Sequence, residues 1–167
     1  MLWMEENTIK GDALCALWDA CFDRADAFTL CTAIWTHATN DALRQALQPY
    51  RVRSFHTARW FCHMSTEPFL EVNVYPATAE TRRIVRQHVT DLYFDLSRNR
   101  DLHTLEDICF FRNGSLFFGT VSHEGFCAAL PDTQEFAEML WNFGMRTKQE
   151  DRLVRIELSD YREGNEP

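Results

Sequence analysis

Apolar side chains recur along this chain first at helical and then at strand spacing, and each change of period marks an element boundary. From Asp12 onward, Leu14, Leu17, Trp18, Cys21 and Phe22 fall three and four residues apart, which predicts an amphipathic helix. The polar cluster Asp23 to Asp26 closes it, and Phe28 to Trp35, rich in β-branched and aromatic residues, reads as a strand. A short helix is expected over 41–47, with Asn40 as its cap and Pro49 as its stop. From Tyr50 to His63 the residues alternate, with Tyr50, Val52, Ser54, His56, Ala58 and Trp60 on one side and Arg51, Arg53, Phe55, Thr57 and Arg59 on the other. That period of two predicts one long strand with a basic face. After the polar turn 65–68, Phe69 to Tyr75 repeats the alternation, so the two strands should pair antiparallel and bring Glu71 near Arg51, Arg53 or Arg59.

The second half alternates in the same way. Thr78 or Thr81 can open a helix in which Val85, Val89, Leu92 and Leu96 share a face, and Arg82, Arg83, Arg86, Asp91 and Asp95 make up its solvated side. Asp107 to Glu124 contains two apolar runs around Asn113-Gly114, a pair suited to the two positive φ values of a type I′ turn, so it predicts a β-hairpin. Asp132, with Glu135 three residues later, marks a helix start. Phe136, Met139, Leu140 and Phe143 form that helix's apolar face, and Gly144 suits its left-handed stop. A last strand is expected over 153–158, with a polar tail from about residue 160. The pattern implies one α+β domain spanning 1–167, an antiparallel or mixed sheet of about five or six strands packed against two or three amphipathic helices.

Composition narrows the function classes. At 167 residues with 46% hydrophobic side chains, the chain can bury roughly 70% of its unfolded surface as one domain. Its 17 basic and 25 acidic residues give a net charge of -8, which repels phosphate backbones and anionic membranes, so neither nucleic acid nor a membrane is an expected partner. The opening residues carry acids where an export signal needs a basic and then an apolar stretch, and no apolar run is long enough to span a bilayer, so a cytoplasmic location is expected. The six cysteines are then expected as reduced core residues, since none has the close spacing of a zinc knuckle.

Chemistry-bearing motifs are sparse. No glycine-rich phosphate or dinucleotide signature occurs, and no cofactor is expected. His56 and Cys62 on a straight strand would stand about 20 Å apart, and His63 would lie on the other face. His123 and Glu124 lack the second histidine of a zincin, since position 127 is Cys127, so no metal site is expected. Glu106-Asp107 and Glu150-Asp151 read as acids solvating strand edges. Ser122 and His123 are neighbours and would point to opposite faces of a strand, which excludes a dyad between them.

The leading functional expectation is a protein-binding module of the inhibitor, bacterial immunity (antidote) or adaptor type, whose acidity suits a basic partner. Arg51, Arg53 and Arg59 are its one basic recognition face, fitted to an acidic partner. A second expectation is a small-ligand-binding protein or hydrolase-like enzyme with a pocket near Ser122-His123-Glu124. There His123 and Glu124 are the candidate catalytic residues and a carboxylate such as Asp107 or Glu106 orients His123. The competing local reading makes Ser122 a helix N-cap with Glu124 in the first turn. A third expectation is a homodimer sealed by aromatics and a sheet edge.

Overall fold

Strand pairing in the computed structural model, which describes residues 1–5, 7–32, 41–64, 66, 69–94, 104–148 and 156–162, builds one large antiparallel sheet. In chain order the elements are β1 (Leu2–Glu5), α1 (Gly11–Phe22), β2 (Ala27–Thr32), α2 (Ala42–Leu47), β3 (Arg53–Thr57), β4 (Arg59–Trp60), β5 (His63–Met64), β6 (Leu70–Pro76) and α3 (Ala79–His88). They continue with β7 (Leu105–Arg112), β8 (Ser115–Val121), β9 (Phe126–Ala129), α4 (Gln134–Asn142) and β10 (Arg146–Thr147). The sheet has eight strands in the order β10-β1-β9-β8-β7-β2-β6-β3, and β4 and β5 form a separate hairpin.

The α+β expectation holds, but the sheet exceeds five or six strands and four α-helices appear among the described residues rather than two or three. The extra strands are β1, β9 and β10, of four, four and two residues, too short for a period of two to show. All four helices bury their apolar residues against one face of the sheet, in a cluster that holds Trp18, Phe22, Phe28, Phe110 and Phe136. The other face has its own core of Phe55, Trp60, Phe61, Cys109, Phe111 and Val121, covered by the β4–β5 hairpin and the segment Ile156 to Tyr161.

The β7–β8 hairpin forms as expected: Arg112 pairs with Ser115 across a two-residue loop in which Asn113 and Gly114 have φ of 52° and 82°. Gly144, at φ 99°, ends α4 as expected. Thr133, not Asp132, caps α4 by accepting the Phe136 N–H at 3.2 Å, and Asp132 instead pairs with Arg112 and Arg24. Asp41 caps α2, and Asn40 lies outside the described residues. Thr78 opens α3 in a reciprocal capping arrangement with Thr81. That helix ends at His88, so Leu92 is buried outside it and Leu96 lies outside the described residues.

The largest departure is the stretch Tyr50 to His63. A 3-10 turn over Gln48–Tyr50 precedes β3, and the chain then leaves the sheet as the β4–β5 hairpin, with Cys62 in the left-handed region at φ 50°. The reason is a tertiary contact. Phe61 lies over Gly119 of β8, where a Cβ would stand 2.8 Å from the ring, and it stacks on Phe126. Of the expected final strand, residues 153–155 lie outside the described set, and the described part holds a bridge between Glu157 and Ser115 followed by a 3-10 turn. No helix among the described residues is long and apolar enough to cross a membrane.

Candidate functional site

Central strand β7 carries an irregularity that decides where its two acids go. Against β2, Cys109 faces Thr29 and Glu106 faces Cys31, so Leu30 alone stands opposite Asp107 and Ile108. This is a β-bulge with Asp107 in the left-handed region at φ 55°, a conformation that aspartate tolerates better than most side chains. Leu105, Ile108 and Phe110 pack on the helix side, whereas Cys31, across from Glu106, packs in the opposite core. Glu106 and Asp107 are each only 2% exposed, which overturns their reading as solvated edge acids: the bulge takes them into the middle of the sheet.

A 3-10 turn over Ser122–Glu124, closed by Gly125 at φ 61°, follows β8. Ser122 ties this turn to the bulge in both directions. Its N–H donates to Asp107 Oδ1 at 2.6 Å, and its Oγ accepts the Asp107 N–H at 3.2 Å. Ser122 is therefore not an N-cap; Val121 holds that position and its side chain has nothing to donate or accept. The reciprocal pair places His123 so that one donor atom each from Glu106, Asp107 and His123 lie within 4.8 Å of one another. The His123 side chain is 28% exposed, so the group joins two buried carboxyls to a partly solvent-exposed imidazole. Glu124 stands on the outer side, with its Oε1 3.9 Å from His123 Nε2.

The buried thiols are held well above their ordinary pKa. Burial, then the charges of Asp107, Cys109 and Glu106, push the Cys31 thiol well up, and burial followed by Asp107 does the same for Cys109. Burial pushes Cys127 up to about 12. All six cysteines are free thiols.

The three candidate arginines have separate fates. Arg53 donates to the Leu158 carbonyl at 2.8 Å and to the Tyr161 carbonyl, with its guanidinium 5.5 Å from the Phe55 ring centre. Arg51 donates to Asn73 Oδ1 at 3.2 Å, and Arg59 is exposed on β4. Glu71 forms no ion pair with them among the described residues; it accepts from Thr32 Oγ1 at 2.6 Å and lies 3.9 Å from Arg44. The uniform basic stripe is broken because Phe55, on the same side, is 1% exposed and turned into the core. His56 and Cys62 sit on different sheets, β3 and the β4–β5 turn.

Strand β3 ends the eight-stranded sheet, and among the described residues no strand pairs with its outer edge. Val52 just before it and Met64 at the end of the hairpin after it are 67% and 73% exposed, the most exposed large apolar side chains described. Tyr50 to Met64 holds three arginines, two histidines and no acid.

No protein-family model, no curated protein and no solved structure matches this chain. Site residues that spacing alone missed include Ser122 as a hydrogen-bond bridge and Glu106 and Asp107 as buried groups. The visible signal was a pair of acids interrupting the apolar run Leu105 to Phe111.

Proposed function

We propose that the protein is a protein-binding module that takes an extended acidic segment of its partner along the β3 edge. The observation that carries this reading is local charge: an acid-free stretch with three arginines borders a sheet edge in a chain of net charge -8. An edge strand presents backbone donors and acceptors to any extended chain, and flanking charge selects which chain approaches. Val52, just before the strand, and Met64, at the end of the hairpin after it, supply exposed apolar side chains, and Arg59 supplies an exposed cation.

A synthetic peptide of about ten residues alternating glutamate and valine is the probe. Fluorescence anisotropy should show saturable binding that weakens as salt rises, because exposed charge pairs are screened. The double variant Val52→Asp with Arg59→Glu should lose that binding while circular dichroism and melting stay unchanged, since both side chains are exposed. Equal binding of a lysine-valine peptide, or unchanged binding by the variant, would overturn the reading.

A further inference from the structure

We infer that Glu106, Asp107 and His123 form a binding site for a divalent transition cation of the zinc type. Three atoms no more than 4.8 Å apart share a centre no farther than about 2.8 Å from each, and zinc bonds to carboxylate oxygen and imidazole nitrogen run about 2.0–2.2 Å. A side-chain adjustment of under about 1 Å therefore closes the shell. The donors also match the cation. Two carboxylates supply the charge that a divalent ion neutralises, and an imidazole favours zinc over magnesium or calcium, which prefer all-oxygen shells.

The surroundings resemble those of a metal ligand set. Asp107 is oriented by the Ser122 N–H at 2.6 Å, the kind of outer hydrogen bond that fixes a ligating carboxylate. Both acids are 2% exposed and come from the centre of a sheet, so they are held by the strand ladder. His123 faces solvent from a turn, which leaves an open side where a water or small molecule can complete a four-coordinate ion. Two carboxylates brought together in an apolar sheet repel, and a cation between them converts that repulsion into attraction.

The test uses the full chain, freed of metal by chelator and dialysis, titrated with zinc alone in a calorimeter and with cobalt(II) as a spectroscopic substitute. One equivalent of zinc should bind and raise the melting temperature. The cobalt form should show weak visible bands of an oxygen and nitrogen shell, without thiolate charge transfer. His123→Ala and Asp107→Asn, each checked for an unchanged fold by circular dichroism, should weaken zinc binding at least tenfold, and Cys62→Ser should leave it unchanged. An absence of binding at millimolar zinc would overturn the inference. Full affinity in His123→Ala, or a thiolate spectrum, would place the metal elsewhere and overturn it equally.

Discussion

Two kinds of buried acid coexist in this protein. Asp41 and Asp91, each 5% exposed, are surrounded by donors. Asp41 accepts from the Arg44 N–H at 2.9 Å, the Thr104 N–H at 2.6 Å and Thr104 Oγ1 at 2.7 Å, which pins the start of α2 to the residue before β7. Asp91 accepts from Thr8 Oγ1 at 2.9 Å and the Tyr93 N–H at 2.8 Å, and its other oxygen lies 2.7 Å from Lys10 Nζ. Glu106 and Asp107 are each 2% exposed, and although Asp107 accepts the Ser122 N–H at 2.6 Å, the two acids also come within 4.8 Å of one another and of an imidazole. A carboxylate ringed by donors stabilises a fold. Two carboxylates set side by side work against it, and such an arrangement is characteristic of sites kept for binding or chemistry.

The largest effect should come from Asp41→Ala. Truncation removes the cap of α2 and leaves the Thr104 N–H and hydroxyl without their acceptor in a part-buried site. Losing a cap costs about 0.5–2 kcal/mol, and a stranded buried donor costs about 1–3 kcal/mol, so a loss of about 2.5 kcal/mol or more is expected. Urea denaturation should show it as a lower midpoint with an unchanged slope. A loss below about 0.5 kcal/mol would show that donors around a buried acid do not identify a structural role here.

Asp91 should reveal itself through pH. Burial raises its pKa, but the bonds from Lys10, the Tyr93 N–H and Thr8, together with the Lys10 charge, outweigh burial and hold it below its ordinary value. A group whose folded pKa is depressed contributes stability that is fully present above its unfolded pKa, about 3.9, and is lost as pH falls through the folded value. The stability difference between wild type and Asp91→Asn should therefore be constant from pH 7 to about pH 5 and shrink below about pH 4. Denaturation midpoints across that range check it, and a difference independent of pH would remove the electrostatic part of this anchor.

What could be read from the residues follows the range of the interactions involved. The β7–β8 hairpin and the stop of α4 were legible because Asn113-Gly114 and Gly144 act within a few residues. Strand β9, with Ala128 and Ala129 in its four residues, carries little β-propensity of its own and exists because β1 and β8 flank it. The break after β3 was hidden because alternation runs on through Trp60, and only the distant Gly119 makes room for Phe61. The same holds for the acids. Glu106 and Asp107 were visible as charges within an apolar run, but their burial depends on Leu30 facing two residues, a register set across strands. His123 is tied to them by the bond pair between Asp107 and Ser122, fifteen residues apart in sequence.

The smallest expected effect is also the most discriminating. Glu106→Gln keeps the volume of the side chain while replacing one of two neighbouring buried carboxyls with a neutral amide. An acid held by donors loses stability when neutralised, as Asp91→Asn should at neutral pH. An acid held beside another acid is relieved by the same change, so Glu106→Gln should leave stability unchanged or raise it by up to about 1 kcal/mol at pH 7. Urea midpoints of the two amide variants, measured side by side in chelator, should move in opposite directions. A loss of more than about 2 kcal/mol in Glu106→Gln would make Glu106 an anchor of the same kind as Asp91, since a carboxylate whose charge holds the sheet together has no need of a cation.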